Sequence, residues 1–193
     1  MKDFFAVVNK GDRSLPLLNE YLPLTVVLDR LRSAFNVGNI FRLADAVRAE
    51  RVITCGYTAS PPHPKLAKTA RGCDMLVPSS YHQDATEAIA QLKDEGYRTY
   101  AVETVAGAPP VWSWKPRFPA AVLLGNEALG ITKEALTHCD ECVQVPCYGV
   151  KNSINVANCA AVVLYAALRE WLETRERYQE IVRHNDDRYT NGQ

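Results

Sequence analysis

Three short stretches concentrate side chains that could do chemistry. In "SAFNVGNIFR", Asn36 follows an apolar run and opens a helical pattern, where its side chain can satisfy a free backbone N–H. Gly38 and Asn39 leave the first turn uncluttered, so an anion could approach that helix end. Arg42 lies one turn further in, beside an apolar stripe, where it could simply bridge to Asp45 on the surface. In "AAVLLGNEALGIT", a strand ends at Gly125, which permits close backbone approach to a ligand, and Asn126 and Glu127 occupy the turn. The spacing from Gly125 to Gly130 mimics a phosphate-binding loop, but Ile131 and Thr132 stand where Lys and Ser/Thr are required, which excludes that site.

The third stretch, "VPCYGVKNSINVANCAAVVLYAAL", loads the mouth of an apolar helix with Lys151, Asn152, Ser153, Asn155 and Asn158. Ser153 is a fair N-cap, and Asn155 and Asn158 are three apart and share a helical face. Capping accounts for one polar residue, not four. Each unsatisfied buried amide costs roughly 1–3 kcal/mol, so the cluster is expected to serve a tight backbone crossing, a ligand, or both. The small residues Ala157, Cys159, Ala160 and Ala161 would let the helix lie close against another backbone.

Two further groups are weaker. His63, Lys65, Lys68 and Arg71 make a local basic loop that could grip phosphates or merely be solvated. Cys139 and Cys142 have zinc-like spacing, but no second such pair follows, so no metal site is expected.

Strands and helices alternate along the chain around these residues. Strands are expected at "LTVVLDRL", "RVITCG", "YRTYAVE", "AAVLLG" and "CVQVP". Helices are expected from Asn36, with Val37, Ile40, Phe41, Ala44 and Val47 on one face, in "PKLAKTARG" stopped by Gly72, in "DATEAIAQLKDEG", in "TKEALTHC", and from about Ser153 past Trp171. This predicts an α/β domain with a largely parallel sheet and helices on both faces, with binding sites beyond the carboxyl ends of the strands. The 193 residues are expected to form one domain with its core at about 24–172.

Composition bounds the partners. Twenty-two basic residues balance twenty-two acidic ones, so a nucleic-acid partner must be met by a local patch. Apolar residues make up 47% of the chain and charged residues 23%, with no run long enough to span a bilayer and no secretory signal at the start. Six scattered cysteines read as reduced small hydrophobes, and a cytoplasmic location is expected.

With all three stretches in hand, the sequence resembles the SpoU (TrmH-like) branch of the SPOUT RNA methyltransferases. "NVGNIFRLADA" is similar to the family's first motif, with Asn36 and Arg42 at its signature positions. "LLGNEALGI" resembles the second, with Glu127 in the acidic position, and the third stretch resembles the last, with Ser153 and Asn155 as its Ser-x-Asn core. "KLAKTARGCDMLVP" is similar to a segment that the family carries between the first two motifs. Two departures are modest: "NEALGI" lacks a further glycine after the glutamate, and "NVANC" replaces a more serine-rich form.

The resemblance implies a C-terminal trefoil knot, S-adenosylmethionine bound at the knot, a homodimer, and methyl transfer to a ribose 2′-hydroxyl of tRNA or rRNA, tRNA being favoured. It implies Arg42 as the electrostatic group at the reacting oxygen, Asn36 and Glu127 as its orienting partners, and Ser153 and Asn155 as shapers of the knot. Val102, Thr104, Gly125, Asn126, Val145, Ser153 and Ile154 are then expected around the cofactor, and Arg42, Lys65, Lys68 and Arg71 against RNA. A non-catalytic RNA-binding factor of the same fold, a nucleotide- or metabolite-binding α/β protein and a base-modifying SPOUT enzyme are the rival readings.

Overall fold

The computed structural model describes residues 20–175. In chain order the elements are β1 (Leu22–Asp29), α1 (Ala34–Ala46), β2 (Ala49–Cys55), α2 (Pro64–Ala70), α3 (Cys73–Leu76), β3 (Ser79–His82), α4 (Ala85–Asp94), β4 (Arg98–Val102), β5 (Ala120–Leu124), α5 (Lys133–His138), β6 (Glu141–Val143) and α6 (Val156–Glu173), with a 3-10 turn at Val111–Ser113. The strands form one six-stranded sheet in the order β3-β2-β1-β5-β4-β6, and every neighbouring pair is parallel.

Alternate residues of the central strands feed two cores, as a sheet covered on both faces requires. In β5, Ala120, Val122 and Leu124 join the core under α1, α2 and α6, while Ala121 and Leu123 face α4 and α5. The α1 stripe expected from sequence is buried: Val37, Ile40, Phe41 and Ala44 are sealed, and so is Val47 just after the helix. No helix among the described residues is long and apolar enough to cross a membrane.

Several boundaries differ from expectation, each for a local reason. Ser33, not Asn36, caps α1 by accepting from the Asn36 N–H, which frees the Asn36 side chain for other work. Gly38 does not keep a helix end open for an anion. It is buried, and a Cβ there would lie 2.3 Å from the Leu66 carbonyl and 2.9 Å from the Ala70 nitrogen of α2, so the glycine lets two helices touch. Arg71, at φ 55°, ends α2 one residue before the expected Gly72. Asn155 rather than Ser153 caps α6, which ends at Glu173 with Thr174 as its C-cap, and residues 176–193, into which the helix was expected to run, lie outside the described residues.

The sheet reverses its direction of growth between β1 and β5. Chain from β1 leads outward to β2 and β3, whereas β5 is flanked by β4 and then β6. Crevices beyond the carboxyl ends of strands at such a reversal are where open α/β sheets bind ligands. The loops that leave β1 and β5 there carry the first two polar stretches.

Candidate active site

Glu127 joins those two loops. One of its carboxylate oxygens accepts from the Arg32 N–H at 2.8 Å; the other accepts from the Ser33 N–H at 3.1 Å and the Asn36 amide at 3.0 Å. The anion expected at the start of α1 is therefore this side chain, supplied from within the chain. Partial burial pushes the Glu127 carboxyl up. The hydrogen bonds from the Arg32 N–H, the Asn36 side chain, its own N–H and the Ser33 N–H outweigh that effect and hold it below its ordinary value.

Asn36 passes the contact on. Its carbonyl oxygen accepts from the Asn155 amide at 3.2 Å, and the Asn155 oxygen in turn accepts from the Ala157 and Asn158 N–H groups at the start of α6. One chain of hydrogen bonds thus ties the three polar stretches together. The crowded helix mouth is explained differently from the expectation of buried amides: residues 151–155 are exposed, and 152–155 stand at the rim of an opening.

That opening is a cavity of about 860 Å³ beyond the carboxyl ends of β4 and β5. Val102, Thr104, Gly125, Asn126, Val145, Ser153 and Ile154, all expected around a cofactor, line it, as do Glu127 and Asn155. Gly125 is required where it stands, because a Cβ would lie 2.5 Å from the Ile131 nitrogen and 2.6 Å from the Gly130 carbonyl carbon, where the loop folds back on itself. Asn126 is only 4% exposed and its side chain is fully engaged: its amide donates to the Arg30 carbonyl and the Tyr57 hydroxyl, and its oxygen accepts from the Ala128 and Leu129 N–H groups. It fastens the loop, leaving only its remaining surface to the cavity.

Glu103 was not singled out in the sequence. Its carboxylate accepts from the Ile131 and Thr104 N–H groups and borders the cavity, holding the far side of the β5 loop as Glu127 holds the near side. The cavity wall therefore contains two carboxylates and no lysine, arginine or histidine. Cys159 also lines it, but burial pushes that thiol up to about 11, so it stays protonated and is no nucleophile near neutral pH.

The basic residues lie elsewhere. Arg42 is exposed on α1, does not line the cavity, and makes no hydrogen bond or ion pair among the described residues. Asp45, its alternative surface partner, instead accepts from the Cys73 thiol at 3.7 Å. Lys65 and Lys68 are exposed on α2, and Arg71 is exposed at its end. His63 sits in this loop as the cap of α2, its Nδ1 accepting from the Leu66 N–H at 3.3 Å. Cys139 and Cys142 are half-buried against the second core, and burial pushes the Cys139 thiol up to about 12.

Comparisons with known proteins give the family. The sequence model of the SpoU rRNA Methylase family matches residues 23–165. A tRNA (guanosine(18)-2'-O)-methyltransferase of Thermus thermophilus is 32% identical over 150 residues, covering 78% of this chain and 76% of the relative. A 23S rRNA (uridine(2479)-2'-O)-methyltransferase of Streptomyces viridochromogenes is 28% identical over 165 residues, covering 83% of this chain and 57% of the relative. Among solved structures, the SpoU methyltransferase AviRb from Streptomyces viridochromogenes in complex with the cofactor AdoMet superposes with a TM-score of 0.72 at 27% identity. That superposition covers 82% of this chain and 64% of AviRb. The chain belongs to the SpoU family of SPOUT RNA methyltransferases.

Proposed function

We propose that the chain transfers a methyl group from S-adenosylmethionine to a ribose 2′-hydroxyl of RNA. The observation that carries this reading is the hydrogen-bonded set Glu127–Asn36–Asn155, which closes one end of a cavity walled by carboxylates and free of basic side chains. A wall of that charge suits a cationic sulfonium and disfavours a phosphate-bearing cofactor. The volume, about 860 Å³, lies within the usual range for small-molecule sites. The backbone at Gly125, Ala128 and Ile131, with Val102, Val145 and Ile154, would hold the cofactor. When bound, it supplies an electrophilic methyl whose transfer to oxygen neutralises charge, a change favoured by a water-poor site.

The chain's own part is positioning and electrostatics. Asn36, fixed between Glu127 and Asn155, sets the entry of α1 at the cavity rim. Arg42 is always protonated and therefore a poor proton acceptor; its role is to hold a phosphate or stabilise negative charge developing on the ribose oxygen. Ser153 and Asn155 shape the rim. Lys65, Lys68 and Arg71 on α2, with Arg42 on the adjoining α1, offer cations to the RNA backbone.

The knot belongs to the same proposal. The chain leaving β6 is laced to the loop after β4: the Gln144 N–H donates to the Pro109 carbonyl, the Val111 N–H to the Gln144 carbonyl, and the Gln144 amide to the Ala108 carbonyl. Residues 152–156 then border the same cavity as loop 125–131. Such a crossing supports a threaded C-terminal segment within a single methyltransferase domain. A homodimer joined through α6 and a cytoplasmic tRNA substrate complete the reading.

The test is incorporation of labelled methyl from S-adenosylmethionine into RNA from cells lacking the gene, followed by ribose-methylation mapping. Methylated ribose at discrete positions is expected. Arg42→Ala should lower turnover at least a hundred-fold while calorimetry shows unchanged cofactor affinity. Cofactor binding without methylation of any RNA would favour the non-catalytic RNA-binding factor.

A further inference from the structure

Trp112 and Trp114 are two residues apart and have opposite fates. Trp114 is 3% exposed and sets its ring edge-on to Tyr100, centroids 5.1 Å apart, inside the core. Trp112 is 53% exposed and stacks on Tyr148, with centroids 6.3 Å apart and planes inclined by 25°. Tyr148 is itself 86% exposed. The pair joins two separate segments, the loop after β4 and the loop before α6, and both also contribute to the cavity wall through Thr104 and Ser153. Val150 is fully exposed beside Tyr148 in sequence, and Ile154 is 45% exposed. Large apolar side chains left in water on segments that border a site mark a surface that something covers.

The charges around it indicate what. Residues 104–119 and 144–158 carry Lys115, Arg117 and Lys151 and not one aspartate or glutamate, in a chain whose total charge is zero. Neither Lys115 nor Lys151 makes an ion pair among the described residues, and both are exposed. Exposed aromatic faces set among unpaired cations suit an unpaired stretch of nucleic acid, whose bases stack on the rings while its phosphates meet the cations.

We propose that Trp112 and Tyr148 form a base-stacking platform that seats an unpaired RNA nucleotide at the rim of the cavity, separately from the basic surface of α2. The proposal rests on the reading of the chain as an RNA methyltransferase and adds to it the element that orients the substrate. Stacking of one base on one aromatic ring is a sequence-tolerant contact, so the platform favours unpaired loops over duplex and does not itself choose the base.

The test uses the full chain with S-adenosylmethionine and two probes: RNA from cells lacking the gene, and a ribo-dodecamer offered single-stranded or as a duplex. Trp112→Ala and Tyr148→Ala should each raise the KM for the cellular RNA about ten-fold, with cofactor affinity unchanged by calorimetry. Trp112→Phe and Tyr148→Phe should return it to within about two-fold, since a ring of similar area remains. The single-stranded dodecamer should quench tryptophan fluorescence in the wild type more than the duplex does, and this difference should vanish in Trp112→Phe. An unchanged KM in both alanine variants, while the wild type methylates RNA, overturns the platform. A smaller sedimenting species for those variants also overturns it, by showing that the rings face a second copy of the chain. If the wild type methylates no RNA, the parent reading falls, and the dodecamer quenching decides the platform independently.

Discussion

Glu127 does at the residue scale what the folding of distant segments demands. Its partner Asn36 is 91 positions away, and Asn36 is 119 from Asn155. The residue types were legible in sequence because Asn, Glu and Ser-x-Asn at element junctions are what a polar site needs. Their pairing was not, because nothing local to any one stretch specifies a bond across the sheet. Glu103 escaped notice for the same reason: a lone glutamate after a strand reads as surface until loop 125–131 is seen folded against it. The Glu127 clamp makes a prediction. Its carboxyl titrates below its usual 4.5, so the folded chain binds that proton less tightly than the unfolded chain. The clamp's contribution is then full above about pH 4.5 and disappears as the pH falls through the lower folded-state value. Glu127→Gln keeps one acceptor oxygen but turns an amide toward a backbone N–H. It should lower stability by about 1 kcal/mol at pH 7, a modest figure because the carboxylate is solvent-exposed. Urea titrations of both proteins at several pH values check this; the gap should narrow as the pH falls below about 4.5, and a gap that stays constant through the acid range would contradict the clamp.

At the scale of elements, the strongly patterned segments were legible and the weakly patterned ones were not. The central strands β1, β2, β4 and β5 are apolar because they are covered on both faces, and α1 and α4 show a single buried stripe each. Strand β3, "SSYH", was missed because it is a short edge strand, largely exposed, with no apolar alternation to announce it. Helix α3 is four residues long and follows a glycine in the left-handed region, a pattern that reads as a turn. The role of Gly38 was also hidden, since a helical glycine looks like an open end rather than a contact. Two effects oppose each other there. Gly38→Ala gains up to about 1 kcal/mol of helix propensity. It also drives a methyl to within 2.3 Å of a backbone oxygen of α2, and such overpacking costs about 1–3 kcal/mol, more when the obstacle is backbone. The steric effect should win, giving a net loss of about 1–2 kcal/mol. A higher urea midpoint for the variant would show that α2 yields freely and that the close crossing is not a constraint.

At the scale of the whole molecule, α6 is the element with two allegiances. Its inner face, with Ala160, Val163, Leu164, Ala167 and Trp171, is sealed in the core, whereas Val162 is 41% and Tyr165 52% exposed on the outer side. Phe35, at the start of the neighbouring α1, is 47% exposed. These are large apolar side chains on two helices that pack on each other, and α6 begins at the polar rim, where Asn155 bonds Asn36. A dimer formed through this face would cover them and would place a second chain beside each cavity, which couples assembly to catalysis. Tyr165→Asp tests the coupling because it puts a charge where the partner would bury it, and an unpaired charge at a closed interface is expected to cost several kcal/mol. The wild type should sediment at about twice its 21.5 kDa chain mass at micromolar concentration, and the variant at the mass of one chain. Because Tyr165 points away from the core, the variant should keep its far-ultraviolet circular dichroism and much of its thermal stability. Methylation should fall with dimer content and recover as protein concentration rises toward the variant's weakened association constant. A monomeric variant with full turnover would separate assembly from chemistry and leave each cavity complete on its own chain.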